Sequence, residues 1–197
     1  MRFCKQNPVL SSGFMDDLPR LVGVRLREAR HERGLSLGAL AAAAQVGKGS
    51  LSEIENGSRN PTLGTLYALA GVLGVPLATL LDERADSQVA SPGVAARLLD
   101  VSHEDGHTVE VYRLRIDPGT VYESVPHGPG VTEHLLVTAG RVRAGRPGEE
   151  TEAGPGETAT WVSDVPHTYA ALGPSPVESV LVIRSPAGDP RTSRSHG

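Results

Sequence analysis

Apolar positions recur every three or four residues in the first third of the chain. Leu21, Val22, Val24, Leu26 and Ala29 form such a stripe, with Arg25, Arg27, Arg30 and Arg33 largely on other faces. The spacing predicts a helix over 20–33, and Gly34 ends it as a left-handed cap. Ser36 is placed to cap a second helix, from Leu37 to Ala44. Gln45-Val46-Gly47 makes a turn, and a third helix follows over about Lys48 to Asn56, with Leu51 and Ile54 inward and Gly57 as its stop. Pro61-Thr62 opens a fourth helix with the stripe Leu63, Leu66, Leu69, Ala70 and Leu73. Gly74 closes it, and Pro76 begins a short fifth through Leu80-Leu81. Short helices with a cap at each joint predict a compact bundle.

After a polar stretch ending in Ser91-Pro92-Gly93 the period changes. Val109, Val111, Arg113 and Arg115 alternate with Glu110, Tyr112, Leu114 and Ile116. Leu135 to Val137, Thr158 to Val162, His167 to Leu172 and Val177 to Ile183 are further short β-rich runs. Asp117-Pro118-Gly119, Gly128-Pro129-Gly130, Pro147-Gly148, Gly154-Pro155-Gly156 and Gly173-Pro174 punctuate them. Many short strands with Gly/Pro turns predict a sandwich or barrel. The expected organisation is a flexible lead over 1–19, a helical domain over 20–81, a linker over 82–93, a β domain over 94–185 and a disordered tail over 186–197. Met15 is a candidate alternative start.

Composition narrows the function classes. The single cysteine, Cys4, cannot make an internal disulfide or a structural zinc knot. No apolar run approaches a membrane span. Met1 to Leu18 lack the apolar core of a signal peptide and include Asp16 and Asp17. A cytoplasmic, reducing setting is expected. The net charge of −4 hides an asymmetry. Residues 20–81 carry Arg20, Arg25, Arg27, Arg30, Arg33, Lys48 and Arg59 against Glu28, Glu32, Glu53 and Glu55, whereas the β half is strongly acidic. The first module is the one suited to meet a polyanion.

Helices two and three, with a tight turn between them, read as a helix-turn-helix. A recognition helix exposes small or polar residues at its N-terminal turn while apolar residues hold its back. Lys48, Gly49, Ser50, Ser52 and Glu53 are the candidates to face a major groove; Ser36, Asn56 and Arg59 are candidates to hold phosphates. Glu53 would repel phosphate but can accept a hydrogen bond from cytosine. Arg25, Arg27 and Arg30 read instead as solvated, or as partners of Glu28 and Glu32 within their helix. The segment resembles the λ-repressor/Cro-like, or XRE, family. The resemblance is carried by Leu26 and Arg30, Gly34-Leu35-Ser36-Leu37, Leu40-Ala41, Leu51 to Gly57, Arg59-Asn60-Pro61-Thr62 and Leu69-Ala70. Gln45 stands where the family usually has the turn glycine, and Gly47 where a capping Ser or Thr is common. A helical dimerisation bundle without DNA contact is the rival reading.

Pro118-Gly119, His127, Glu133 and Gly140, then Gly156-Glu157 and Pro166-His167, resemble the two motifs of the cupin family. That resemblance implies a double-stranded β-helix (jelly-roll) barrel behind a five-helix head, in a multi-domain α + β chain. It implies a metal site with ligands His127, Glu133 and His167, suited to Fe, Mn, Ni or Zn. The first motif departs from the family: Val125-Pro126-His127 replaces His-X-His, and five residues separate His127 from Glu133. The alternative is that these groups persist as hydrogen-bonding residues without metal. By strand alternation Val125 shares the face of His127. His134 should face outward, and His103 and His107 should lie in an exposed loop. Tyr122, Trp161 and Tyr169 are either barrel core or, with Val125, His127, Glu133 and His167, the lining of a small-molecule pocket.

The order of the two modules resembles a class of bacterial transcriptional regulators. It implies a homodimer on double-stranded operator DNA, with a small-molecule or metal effector in the barrel and no membrane partner. The alternative is a metal-dependent cupin enzyme, of oxygenase or isomerase type, fused to a DNA-binding head.

Overall fold

The computed structural model describes residues 18–81 and 87–186. The expected lead and tail, together with Cys4 and Met15, lie outside these residues except for Leu18, Pro19 and Pro186. The head consists of α1 (Leu18–Glu32), α2 (Leu37–Ala43), α3 (Lys48–Glu55), α4 (Leu63–Leu73) and α5 (Leu77–Leu81). Its caps are those the sequence implies. Ser36 Oγ accepts from the Ala39 amide, Thr62 Oγ1 accepts from the Thr65 amide, and Gly74 closes α4 in the left-handed region at φ +62°. Gln45 holds φ +54° in the α2–α3 turn, where a β-carbon costs about 1–2 kcal/mol. Leu26, Leu40, Leu51, Ile54, Leu66, Leu69 and Leu73 are sealed inside the bundle. Burying each stabilises the fold by roughly 1.5–3 kcal/mol before chain entropy is counted.

Two expectations for α1 need correction. Val24 is 51% exposed, because the stripe runs through Val22, Leu26 and Ala29 and leaves position 24 on the opposite side. Arg30 is neither solvated nor paired along its own helix. Its guanidinium is buried against Glu55 of α3, at 2.7 and 2.8 Å, and also donates to the Leu35 carbonyl. Arg27 reaches across to Glu55 and Asn56, and Arg25 donates to the Thr79 carbonyl. These side chains tie helices together rather than dressing one of them.

The second half contains β1 (Gln88–Ser91), β2 (Val94–Glu104), β3 (His107–Ile116), β4 (Val121–Ser124), β5 (Thr132–Ala139), β6 (Val142–Gly145), β7 (Thr151–Ala153), β8 (Thr158–Val162), β9 (His167–Ala171) and β10 (Val177–Pro186). They form a six-stranded sheet, β1-β2-β3-β10-β5-β8, and a four-stranded sheet, β4-β9-β6-β7, with antiparallel pairing throughout. This is the double-sheet barrel that the cupin resemblance implies. Of the expected 82–93 linker, 82–86 lie outside the described residues, and the second half is corrected. Residues 88–91 pair with 94–97, and Pro92-Gly93 makes the hairpin turn, with Gly93 at φ +75°. A second hairpin turns at Asp105-Gly106, where both residues hold positive φ, as a type I′ turn requires. His103 and His107 are therefore strand residues flanking a turn, not members of a loop. His107 Nδ1 meets Arg184 at 2.9 Å, and His103 Nδ1 meets Thr108 Oγ1 at 3.1 Å. No helix among the described residues is long and apolar enough to cross a membrane.

Head and barrel share one apolar cluster, and polar bonds fix the join. The Ala78 amide, at the start of α5, donates to Glu110 Oε1 on β3 at 2.6 Å; the same oxygen accepts from Tyr112 at 2.9 Å. The Gly64 amide of α4 donates to Ser91 Oγ at 3.4 Å.

Candidate DNA-reading face and metal centre

On α3 the sequence puts Leu51, Ile54 and Glu55 inward, and the opposite side is open. Lys48, Gly49 and Glu53 are exposed, and Ser50 and Ser52 are half-buried beside them. Gly47 is the N-cap but has no side chain to bond with, so the first amides of α3 lack a side-chain acceptor at the cap. Such amides suit an anion at a helix start. Arg59 lies over this face, donating to Ser50 Oγ at 3.2 Å and to Glu53 Oε2 at 3.1 Å. An exposed pair of this kind contributes at most about 1 kcal/mol, so DNA can displace it. Ser36 is exposed at the α2 N-terminus while capping it. Asn56 is exposed too, but its Oδ1 is taken by Arg27 at 2.7 Å. The eight candidate residues thus come from α2, α3 and the turn after α3, with α3 supplying most of them.

In the barrel, the structure brings His127, Glu133 and His167 together. Each offers one ligand atom, and the three atoms lie within 4.8 Å of one another. His127 Nδ1 stands 2.8 Å and His167 Nε2 3.1 Å from Glu133 Oε1. Yet these three buried atoms have no hydrogen-bond partner, so they approach one another without hydrogen-bond geometry. Glu133 Oε2 is held by the Tyr169 hydroxyl. His167 Nδ1 faces the Val165 carbonyl at 3.0 Å, so it carries the proton and leaves Nε2 free for the centre. His127 is held at its other nitrogen by Ser124 Oγ, 3.1 Å away. Two imidazoles and a carboxylate, each oriented from behind, fit a divalent transition metal.

Burial alone would raise the Glu133 carboxyl. The charge of the facing His127 and His167 imidazoles outweighs it, and holds the group well below the usual carboxylate range. Burial alone would lower the His167 imidazole, but Glu133 more than offsets this and raises it.

The spacing that departs from the cupin pattern has a structural reason. His127 is not on a strand but in the extended segment after β4. Its amide donates to the Ser163 carbonyl at 2.8 Å, and Gly128 and Gly130, at φ +120° and +75°, fold the following loop back onto β5. The strand-alternation argument for Val125 is corrected accordingly, since residues 125–127 have no strand pairing; Val125 is half-buried against the core. Trp161 faces Glu133 across the β5–β8 pair, and Tyr122 faces Tyr169 across β4–β9. The Trp161 and Tyr169 rings lie 5.7 Å from His167. The Trp161 Nε1 and Tyr122 hydroxyl are buried without partners. His134 is exposed, on the outer face.

Tyr67 and Glu110 escaped the sequence reading. Tyr67, on α4 of the head, stacks on the His127 ring at 4.0 Å and 12°. A usable signal was present: Gly64 and Gly71 flank Tyr67 at helical spacing, and glycine inside a helix costs about 1 kcal/mol unless close approach requires it. Two spaces lie along the same seam. One of about 10 Å³ touches Tyr67, Glu110 and His127. A cleft of about 220 Å³ runs between Gly74-Val75-Pro76 of the head and His127-Gly128-Pro129 of the barrel.

The HTH_3 helix-turn-helix family model matches residues 26–80. Over most of its length the chain is similar to the HTH-type transcriptional regulator SutR of Escherichia coli (strain K12). The two are 31% identical over 176 residues, 87% of this chain and 99% of that protein. The HTH-type transcriptional regulator DdrOP3 of Deinococcus deserti is 48% identical over 58 residues, 29% of this chain and 45% of its own. Among solved structures, an HTH_3 family transcriptional regulator from Vibrio cholerae superposes with a TM-score of 0.72 at 25% identity. That match covers 87% of this chain and 98% of the other. With the exposed α3 face, these likenesses show that the chain belongs to the XRE-type helix-turn-helix transcriptional regulators, DNA-binding proteins, here with a double-sheet β barrel as the C-terminal domain.

Proposed function

We propose that the chain acts in the cytoplasm as a homodimer whose barrel holds a divalent transition metal at His127, Glu133 and His167. The metal is the effector, or the anchor for a small-molecule effector lined by Tyr122, Val125, Trp161 and Tyr169. The observation that carries this reading is the set of three buried ligand atoms that converge without hydrogen-bond partners. Leaving such atoms unsatisfied costs about 1–3 kcal/mol each, and a metal would satisfy all three. Lys48, Gly49, Ser50, Ser52 and Glu53 read the operator's major groove, while Ser36, Asn56 and Arg59 hold its phosphates. Two heads related by a two-fold axis engage two half-sites one helical turn apart.

The test is the metal content of purified protein beside Glu133→Ala and His167→Ala. Near-stoichiometric Fe, Mn, Ni or Zn in the wild type, lost in both variants, is the expected result. A wild type that stays empty after metal is supplied overturns the centre. Sedimentation of the full chain is expected to give the mass of a dimer, and a monomer at working concentration removes the two-fold reading. The second reading, a metal-dependent oxygenase, draws on the donor set itself, since two imidazoles and one carboxylate with open positions also serve non-haem iron chemistry. The regulator relatives support the non-enzyme reading; dioxygen consumption by the iron-loaded protein with an organic substrate would overturn it.

A further inference from the structure

We propose that Tyr67 of the DNA-binding head is a positioning residue of the barrel's centre, so that metal binding and head docking form one coupled equilibrium. The proposal rests on the metal reading above and adds how the centre communicates.

The His127 ring is held on three sides. Ser124 Oγ meets Nε2 at 3.1 Å, Glu133 Oε1 lies 2.8 Å from Nδ1, and Tyr67 covers one face at 4.0 Å. The first two restraints belong to the barrel, and the face contact comes from the head. His127 needs that third restraint, because its segment lies outside the strands and the hydrogen bond its backbone N–H donates to the Ser163 carbonyl is the backbone tie at that residue. A ring in contact only at its edges can still swing about the line joining them; a parallel ring on its face opposes that motion.

The head reaches this position through α4. A β-carbon added at Gly71 would stand 3.1 Å from the Pro126 carbonyl oxygen, immediately before His127, and one at Gly64 would stand 3.4 Å from the Tyr122 hydroxyl. The Gly64-Tyr67-Gly71 face of α4 therefore lies directly on the segments that carry His127 and Tyr122. α4 also packs within the core that holds α3. His127, held as a ligand with Tyr67 stacked on its face, would favour the head placement that keeps the stack. By linkage, the docked head favours metal by the same factor. The cleft beside His127 runs along the same seam, so a change in head placement also changes access to the centre.

The test uses the full chain and Co²⁺ as the probe. Trp161 is the chain's one tryptophan and lies 5.7 Å from His167, so its fluorescence reports occupancy. Tyr67→Leu removes the ring, Tyr67→Phe keeps it, and Gly71→Leu wedges α4 away from Pro126 with every ligand intact. Tyr67→Leu and Gly71→Leu are expected to bind Co²⁺ about ten-fold more weakly, and Tyr67→Phe within about two-fold of wild type, as for other residues that orient a ligand from behind. Far-UV circular dichroism establishes that each variant is folded. Wild-type affinity in folded Tyr67→Leu overturns the coupling. Should that variant not fold, wild-type affinity in Gly71→Leu overturns it instead. If the wild type itself fails to bind Co²⁺, the metal reading falls and the coupling falls with it, an outcome distinct from equal affinities.

Discussion

The Arg30 guanidinium is closed between α1 and α3 with both Glu55 oxygens in reach, and neither side chain keeps more than 9% of its surface. Removing one member of such a pair leaves an uncompensated buried charge, which costs about 3–5 kcal/mol. Glu55→Ala is therefore expected to lower the head's stability by about that much in urea melts, and a loss below about 1 kcal/mol, the scale of an exposed pair, would contradict the burial argument. This pair was not legible in the sequence. Local charge spacing pointed Arg30 to Glu28 and Glu32, and nothing in one chain says that a glutamate 25 residues on is nearer in space. Conformation at single residues was legible: Gln45 in the left-handed turn followed from what a helix-turn-helix needs there. Of the centre, the residues His127, Glu133 and His167 were legible through the resemblance to the cupin motifs. Tyr67 was not, because an aromatic beside a leucine stripe reads as core until the surface that receives it is known.

At the scale of elements, caps and glycines mark the helices, so all five fell within a residue or two of their expected bounds. The β half was read less completely. β1 lay in the stretch taken as linker, and β2 carries Val94-Ala95-Ala96 and Leu98-Leu99, a pattern without clean alternation because a bulge falls between Leu98 and Asp100. Pairing with β3, rather than local propensity, decides that strand. On α3 the legible feature is the division between a sealed face and an open one. Lys48 stands at the open N-terminal turn, where a flexible ammonium meets phosphate as a point charge. Lys48→Ala is expected to weaken DNA binding uniformly across sequences and to reduce the slope of log affinity against log salt by about 1. Fluorescence anisotropy at several salt concentrations measures it. An unchanged slope with altered sequence preference would make Lys48 a base-reading residue instead.

For the whole molecule, the sequence divides cleanly into a helical and a β half, and from that division a flexible tether would be the natural expectation. The structure joins them instead. One apolar cluster runs through both, and Glu110 on β3 accepts from the α5 amide of Ala78. A buried carboxylate bonded across the seam makes the barrel complete a helix of the head, and the head in turn shields a charge of the barrel. The Ala78 amide of the head is bonded through the barrel's Glu110, and the apolar cluster is shared, so the two halves are expected to unfold together, as a single calorimetric transition. Glu110→Ala breaks this mutual requirement. It leaves the Ala78 amide and the Tyr112 hydroxyl without that acceptor, each costing about 1–3 kcal/mol at the seam and not in either core. The variant is expected to melt in two steps, the head first, since its short helices lose a capping partner while the strand ladders remain intact. Two transitions in the wild type would mean that the seam is too weak to couple the halves. A single lowered transition in the variant would mean that the shared apolar cluster suffices without Glu110.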